Sequence, residues 1–195
     1  MNWIETVVQW AQDPLEECLE VINRNAPDGT QPYRRFLYHL AKYLHAGVCL
    51  EIGVESGATS AHLASAVSGI AVGIDWHKPG LDLAHLPFQW IDGDSTKVAV
   101  QVQEIVSRHG PISVVYQDSS HHYEASCIEW ELYSPMMAPD GVWVCDDITP
   151  AFHDPLIDPP GKGMVQYFEE RPGDKFLFPG LHLGNVIGVI LRGEQ

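Results

Sequence analysis

Five short apolar runs, at residues 48–52, 70–74, 88–91, 112–116 and 142–145, lack any alternation of apolar with polar side chains. A strand that is apolar throughout is buried on both faces, which places it in a parallel sheet covered by helices. Amphipathic stretches at about 59–68, 96–109 and 124–137 separate the runs. Three of the four crossovers are therefore strand, helix, parallel strand, in the right-handed sense. Residues 175–178 and 186–191 read as two more strands joined only by the segment 179–185, a link so short that they pair antiparallel. The expected fold is α/β: a doubly wound, seven-stranded, mostly parallel sheet with an antiparallel C-terminal hairpin.

Ahead of the sheet, residues 1–46 read as an N-terminal helical cap, leaving 47–195 as the main domain. Asp13-Pro14 followed by Glu16 and Glu17 is a helix start, with a capping acid, proline in the first turn and acids at the positive end of the dipole. Pro27-Asp28-Gly29 breaks that helix. A second begins at Pro32, in which Tyr33, Phe36, Leu37, Leu40, Ala41 and Leu44 recur at helical spacing until Gly47 closes it. Between 148 and 163, four prolines and two glycines without periodicity form a long loop, a candidate lid.

Charge narrows the partners. Eleven Lys and Arg against 26 Asp and Glu give a formal net charge of −15, which repels nucleic acid and anionic membranes. The four cysteines, Cys18, Cys49, Cys127 and Cys145, include no CxxC pair, and Cys49 and Cys145 fall inside strands as small hydrophobes. With no basic leader and no apolar run near the roughly 20 residues of a membrane span, the expectation is a reduced, cytoplasmic protein. Homo-oligomerisation is left open.

The chemistry gathers where strands end. Asp118 closes the fourth run, and Asp146-Asp147 closes the fifth. Uncompensated carboxylates at one sheet edge are costly unless a cation or a catalytic task uses them. His121, three residues past the first acid, adds a group that titrates near neutrality. The first strand leads into Glu51-Ile52-Gly53-Val54-Glu55-Ser56-Gly57, where glycines let backbone amides approach a ligand. Its GxxxG spacing differs from the GxGxxG of dinucleotide folds, which argues against NAD or FAD. Asp75, about 20 residues on, suits a pair of ribose hydroxyls, and Trp76 could cover a flat base. The third strand leads to Gly93-Asp94-Ser95 at the same edge. Plainer readings stand beside these: a packing turn at the glycines, Asp94 or Ser95 as a helix cap, His121 or His122 as the cap of a helix near Tyr123, and Asp147 as an ordinary loop residue.

The glycine loop with Glu51, the Gly-Ile-Asp75 strand end and Gly93-Asp94-Ser95 resemble the cofactor motifs of class I S-adenosylmethionine-dependent methyltransferases, over about residues 47–192. Asp118-Ser-Ser-His121-His122 with Asp146-Asp147 is similar to small metal-dependent O-methyltransferases, the catechol type and, more closely, the macrocin-type sugar enzymes. The resemblance implies that Glu51, Gly53 and Gly57 surround the methionine part of S-adenosylmethionine, that Asp75 holds its ribose, and that Trp76, Asp94 and Ser95 flank its adenine. It further implies that Asp118, Asp146 and Asp147 bind Mg²⁺ or another divalent cation, with Asp118 also bordering the cofactor. His121 or His122 stands where the family has its general base. Ser119 replaces a common glycine, and Asp147 replaces the asparagine of the catechol enzymes, favouring tighter metal binding or an ion other than Mg²⁺.

The expected activity is divalent-metal-assisted methyl transfer to a hydroxyl of a small sugar or natural product. Tyr33, Phe36 and the 148–163 loop are candidates for its pocket. Trp130, Tyr133 and Trp143 are expected in the core or an interface. His153, Asp154 and Asp158 are expected as solvated loop residues, His153 with a minor claim to touch substrate. Two rivals are an iron site built from His121, His122 and Asp118 and an inactive cofactor-binding protein of the same fold.

Overall fold

The computed structural model describes residues 3–12, 31–151, 154–182 and 185–192. Asp13-Pro14, the break at 27–29, Cys18 and His153 lie outside the described residues. In chain order the elements are α1 (Trp3–Gln12), α2 (Pro32–Tyr43), β1 (Val48–Ile52), α3 (Ala58–Ala66), β2 (Ile70–Asp75), β3 (Phe88–Asp92), α4 (Ala99–His109), β4 (Ile112–Gln117), α5 (Tyr123–Tyr133), β5 (Met137–Cys145), α6 (Met164–Glu170), β6 (Asp174–His182) and β7 (Asn185–Leu191). The seven strands form one sheet in the order β3-β2-β1-β4-β5-β7-β6. β1 to β5 run parallel, and β7 pairs antiparallel with both β5 and β6.

Period-two alternation splits the core into two layers. Cys49, Val114, Tyr116, Val142 and Val144 face α1, α2 and α3. Leu50, Ile52, Val115, Trp143 and Cys145 face α4, α5 and α6. Apolar side chains on both faces of each central strand explain why the runs lack alternation. Trp143 and Tyr133 are fully buried, and the Trp130 ring packs tilted at 52° against Trp143 with centroids 4.8 Å apart.

Several boundaries depart from the sequence reading, among them the end of the helix expected over 124–137, which stops at Tyr133. β5 begins at Met137 rather than Val142, because Ala138-Pro139-Asp140-Gly141 is extended through a register shift against β4. The helix expected from Thr96 begins at Ala99, since Asp94 holds a turn over Thr96 and Lys97. The tail strands extend to 174–182 and 185–191, a tighter hairpin than expected. Among the described residues no helix is long and apolar enough to cross a membrane.

In register, Ile52 lies beside Ile74 and Gln117, and Gln117 beside Cys145. The residues that follow β1, β2, β4 and β5 therefore emerge at one edge of the sheet. β1 is the switch point: the chain leaves it toward β2 and β3, then returns to β4 on its other side, and ligands of open α/β sheets sit at that crevice.

Candidate active site

The loop after β1 is fastened on three sides. Gly53 has φ +89°, its N–H donates to Ile74 O at 3.0 Å, and an added Cβ would lie 1.8 Å from Asp118 O. Gly57 has φ +88° where α3 begins, a conformation that favours glycine. Asp75 accepts the N–H groups of Val54 (2.8 Å), Glu55 (2.9 Å) and His77 (3.0 Å). Burial opposes its ionisation, but those donors hold the carboxyl below the usual aspartate range. Asp75 thus shapes the glycine loop as well as facing the crevice.

A cavity of about 380 Å³ opens over this edge, lined among others by Ile52, Asp75, Trp76, Ser95, Ser119 and Ala125. Trp76 is 65% exposed, an aromatic face at its rim. Asp94 lines it too, but its carboxylate accepts Thr96 N–H and Oγ1–H at 3.0 and 2.7 Å and pairs with Lys97 at 2.8 Å. Lys97 and Thr96 draw it down to about 2; Asp94 closes a turn ahead of α4 and does not cap it, because the helix starts later, with Val98 at its N-cap. Beneath lies a buried acid that the sequence reading missed. Glu129 on α5 accepts the Ser95 hydroxyl, Gln117 Nε2 at 2.6 Å and Ser119 Oγ at 2.9 Å. Burial raises its pKa, against those three hydrogen bonds. Gln117 in turn accepts Trp143 Nε1 at 3.0 Å and the Tyr167 hydroxyl at 2.8 Å. Every polar atom of this network that was placed by β4 has a partner, which fixes the floor.

A second cavity of about 240 Å³ shares Gly53, Asp75, Asp118 and Ser119 with the first and continues to Tyr33, Arg34, Glu51, Thr59 and His121. Glu51 is buried and accepts the Ser60 hydroxyl. Burial pushes its carboxyl up to about 8, so Glu51 is mostly protonated at neutral pH. Tyr33 joins the cavity wall, whereas Phe36 is fully buried against Phe178 in the core and lines neither cavity.

The strand-ending acids converge beyond this point. Asp146, Asp147 and His182 bring one ligand atom each within 4.8 Å of the others. Asp146 accepts the Tyr116 hydroxyl at 2.9 Å, His182 Nδ1 at 2.9 Å and the Asp147 N–H at 2.8 Å. The Tyr116 hydroxyl also lies 3.3 Å from Asp118. Asp118 stands outside the three-residue cluster and is tied to it through His121, whose Nε2 lies 3.3 Å from Asp118 Oδ1 and 3.5 Å from Asp147 Oδ2. His121 and Asp147 both have left-handed backbones, with φ of +58° and +57°. Non-glycine residues held this way concentrate at functional sites. Burial and then the Asp146 charge raise Asp147 to about 6. Burial lowers the His121 pKa, but its bond to Asp118 outweighs this and raises it overall.

The two histidines part company. His122 sits at the start of α5 in extended conformation without a side-chain cap bond, its Nδ1 3.8 Å from Asp158. His121, His122 and Asp118 therefore do not converge on one point, and the three-residue iron arrangement is not assembled. Asp158 corrects a further expectation. It is 5% exposed, not solvated, because its carboxylate accepts the N–H groups of Tyr123 (2.8 Å) and Asp154 (2.9 Å). His182 gave no signal in the sequence; it reaches Asp146 only because the antiparallel hairpin folds back beside β5.

The cluster suits a divalent cation. Asp147 Oδ1 is buried without a hydrogen-bond partner among the described residues, beside a second buried carboxylate. Such a pair needs positive charge, and two hard oxygens with an imidazole nitrogen supply donors for it.

Residues 50–148 match the model of a methyltransferase domain, and the chain belongs to that family. A comparison with curated proteins finds no match. Solved structures share the fold at low identity. Rv0187 from MTB, solved bound to a cofactor, has a TM-score of 0.66 at 17% identity, covering 98% of this chain and 97% of that one. The O-methyltransferase TomG from Streptomyces achromogenes, involved in tomaymycin synthesis and solved with SAM, has a TM-score of 0.64 at 20% identity, covering 99% and 100%. MycE from the mycinamycin biosynthetic pathway, solved with Mg and SAH, has a TM-score of 0.62 at 18% identity, covering 93% of this chain but only 55% of that one.

Proposed function

We propose that this chain is an S-adenosylmethionine-dependent O-methyltransferase, assisted by a divalent cation, that acts on a hydroxyl of a small molecule. The observation that carries the reading is the continuity of the site. A trough with an aromatic rim at Trp76 and an acid at Asp75 runs past the glycine loop to a cluster of acids around His121. That order suits a nucleoside at one end and a reacting hydroxyl at the other.

When bound, S-adenosylmethionine supplies an electrophilic methyl, and a divalent cation supplies positive charge that stabilises an oxygen losing its proton. Asp146, Asp147 and Asp118 are the carboxylates that would hold that cation, with His182 a further donor. Gly53, Gly57 and Asp75 shape the cofactor loop, and the floor of Glu129, Ser95 and Ser119 is rigid because its hydrogen bonds are made internally. His121 is the residue we assign to accept the acceptor's proton, and Asp118 and Asp147, 3.3 and 3.5 Å from its Nε2, orient its ring. His122 is assigned no proton, since it turns toward Asp158.

Likeness to MycE and TomG, which serve mycinamycin and tomaymycin synthesis, supports a hydroxylated natural product as the acceptor class. Calorimetry of S-adenosylhomocysteine binding with and without Mg²⁺ or Mn²⁺, on wild type and Asp146→Ala, tests the proposal. Cofactor binding by both proteins, with metal binding only by wild type, is expected. A wild-type chain that binds no cofactor under any condition sinks the proposal.

A further inference from the structure

The smaller cavity has a polarity that the nucleoside end lacks. Arg34 is the one permanent cation among the described residues that line either cavity, and it shares the smaller one with Glu51, Glu55 and Asp118. Its position is set by its neighbours. Nε donates to Thr59 Oγ1 at 3.2 Å, and the guanidinium carbon lies 5.2 Å from the Tyr33 ring centroid. Tyr33 is itself 3% exposed, with the Tyr116 and His182 rings 5.7 and 4.7 Å away. The guanidinium thus stacks on a ring that cannot swing, and its charge draws the Glu51 carboxyl down against the effect of burial.

A trough with carboxylates along its length and one guanidinium at its far end discriminates between the ends of a zwitterion. A ligand carboxylate is repelled everywhere but at Arg34, where the planar fork suits two-point hydrogen bonding. A ligand ammonium is favoured by the Glu55 and Asp118 carboxylates that share the cavity. We infer that Arg34 anchors the carboxylate of the cofactor's amino-acid end, so that α2, ahead of the sheet, sets the direction in which the cofactor lies. This assignment rests on the cofactor reading above. It makes Arg34 a determinant of selection between S-adenosyl amino acids and nucleosides that lack the amino acid.

Calorimetry on the full chain separates the possibilities, using S-adenosylhomocysteine and methylthioadenosine, a thionucleoside without the amino-acid part. In Arg34→Met, affinity for S-adenosylhomocysteine falls roughly 10- to 100-fold, as expected when a charged hydrogen-bond partner is removed. Methylthioadenosine affinity stays within about twofold of wild type, which also reports that the variant is folded. Arg34→Lys recovers part of the loss, since it restores charge without the fork. Equal losses for both ligands would assign Arg34 a purely structural role and overturn the inference. Unchanged S-adenosylhomocysteine affinity in Arg34→Met, with wild type binding normally, overturns the inference alone. Failure of wild type to bind either ligand overturns the cofactor reading and the inference with it.

Discussion

Asp158 caps a helix that starts 35 residues before it, its Oδ1 accepting the Tyr123 N–H at 2.8 Å. His122, the residue in the N-cap position of α5, makes no cap bond of its own. The cap is therefore lent by the proline-rich loop, directly behind His121. Asp158→Ala is expected to cost about 1–2 kcal/mol, the usual range for a lost cap, and to lower Tm by about 2–8 °C in a chain of this size. Asp158→Asn keeps an acceptor and should lose less than half as much. Thermal melts of the two variants decide the matter, and melts equal to wild type would deny the cap any energetic weight.

The acid cluster predicts pH-dependent metal binding. Asp147 keeps its proton up to about pH 6 in the folded chain, against an ordinary 3.8. Without metal, the folded state binds more protons than the unfolded state between those values, so this group's contribution to stability falls as pH rises across that window. A cation that replaces the proton should reverse the cost above pH 6. At pH 7.5 and a concentration near 100 times Kd, Mn²⁺ should add about 2.7 kcal/mol, read as a rise in Tm. At pH 5 the rise should shrink strongly, and in Asp146→Asn it should vanish at both values.

Glu51 gives a second pH signature. Its carboxyl is raised from 4.5 to about 8 by burial, so the folded chain holds a proton that the unfolded chain releases. Its effect on stability is nil below about pH 4.5, turns progressively unfavourable up to about pH 8, and is constant above that. The full span is on the order of 3–5 kcal/mol at about 1.4 kcal/mol per pKa unit. Glu51→Gln keeps the shape and an acceptor for Ser60. Its Tm should change less than that of wild type between pH 5 and pH 9; parallel curves would refute the buried-acid account.

Two glycines of the loop after β1 should differ in tolerance. An added Cβ at Gly53 meets the Asp118 backbone at 1.8 Å, while at Gly57 the nearest atom is a Pro79 side-chain carbon at 2.9 Å. Both have positive φ. Gly57→Ala should cost about 1–3 kcal/mol from backbone strain alone. Gly53→Ala must also part β1 from β4 and should exceed about 4 kcal/mol, the exceptional range for one substitution. Chemical denaturation that ranks them the other way would contradict the geometry.

The fold was legible where a single chain segment carries its own signal. The strand runs 48–52 and 112–116 announce themselves because both faces are buried, and the acids at 118, 146 and 147 because each ends such a run. The rest depended on partners distant in the chain. Glu129 reads as one more acid on an amphipathic helix, and only the docking of α5 under Ser95, Gln117 and Ser119 reveals it as buried. Asp158 looked solvated among prolines because nothing local indicates the open N-terminus of α5. Arg34 and His182 come from elements on opposite sides of the main run of strands, and meet through Tyr33. His121 and His122 are adjacent and chemically alike, so only the left-handed backbone at His121 separates their directions.

The contact of Gly53 with the Asp118 carbonyl has a consequence for how such a site can change. The glycine loop after β1 and the segment that carries the first acid meet backbone to backbone, with no side chain between them to lengthen or shorten. The separation between that loop and the first acid is then a property of strand spacing, inherited with the sheet. Change in such a site falls to the 148–163 loop and the helical layer, while the central seam stays fixed.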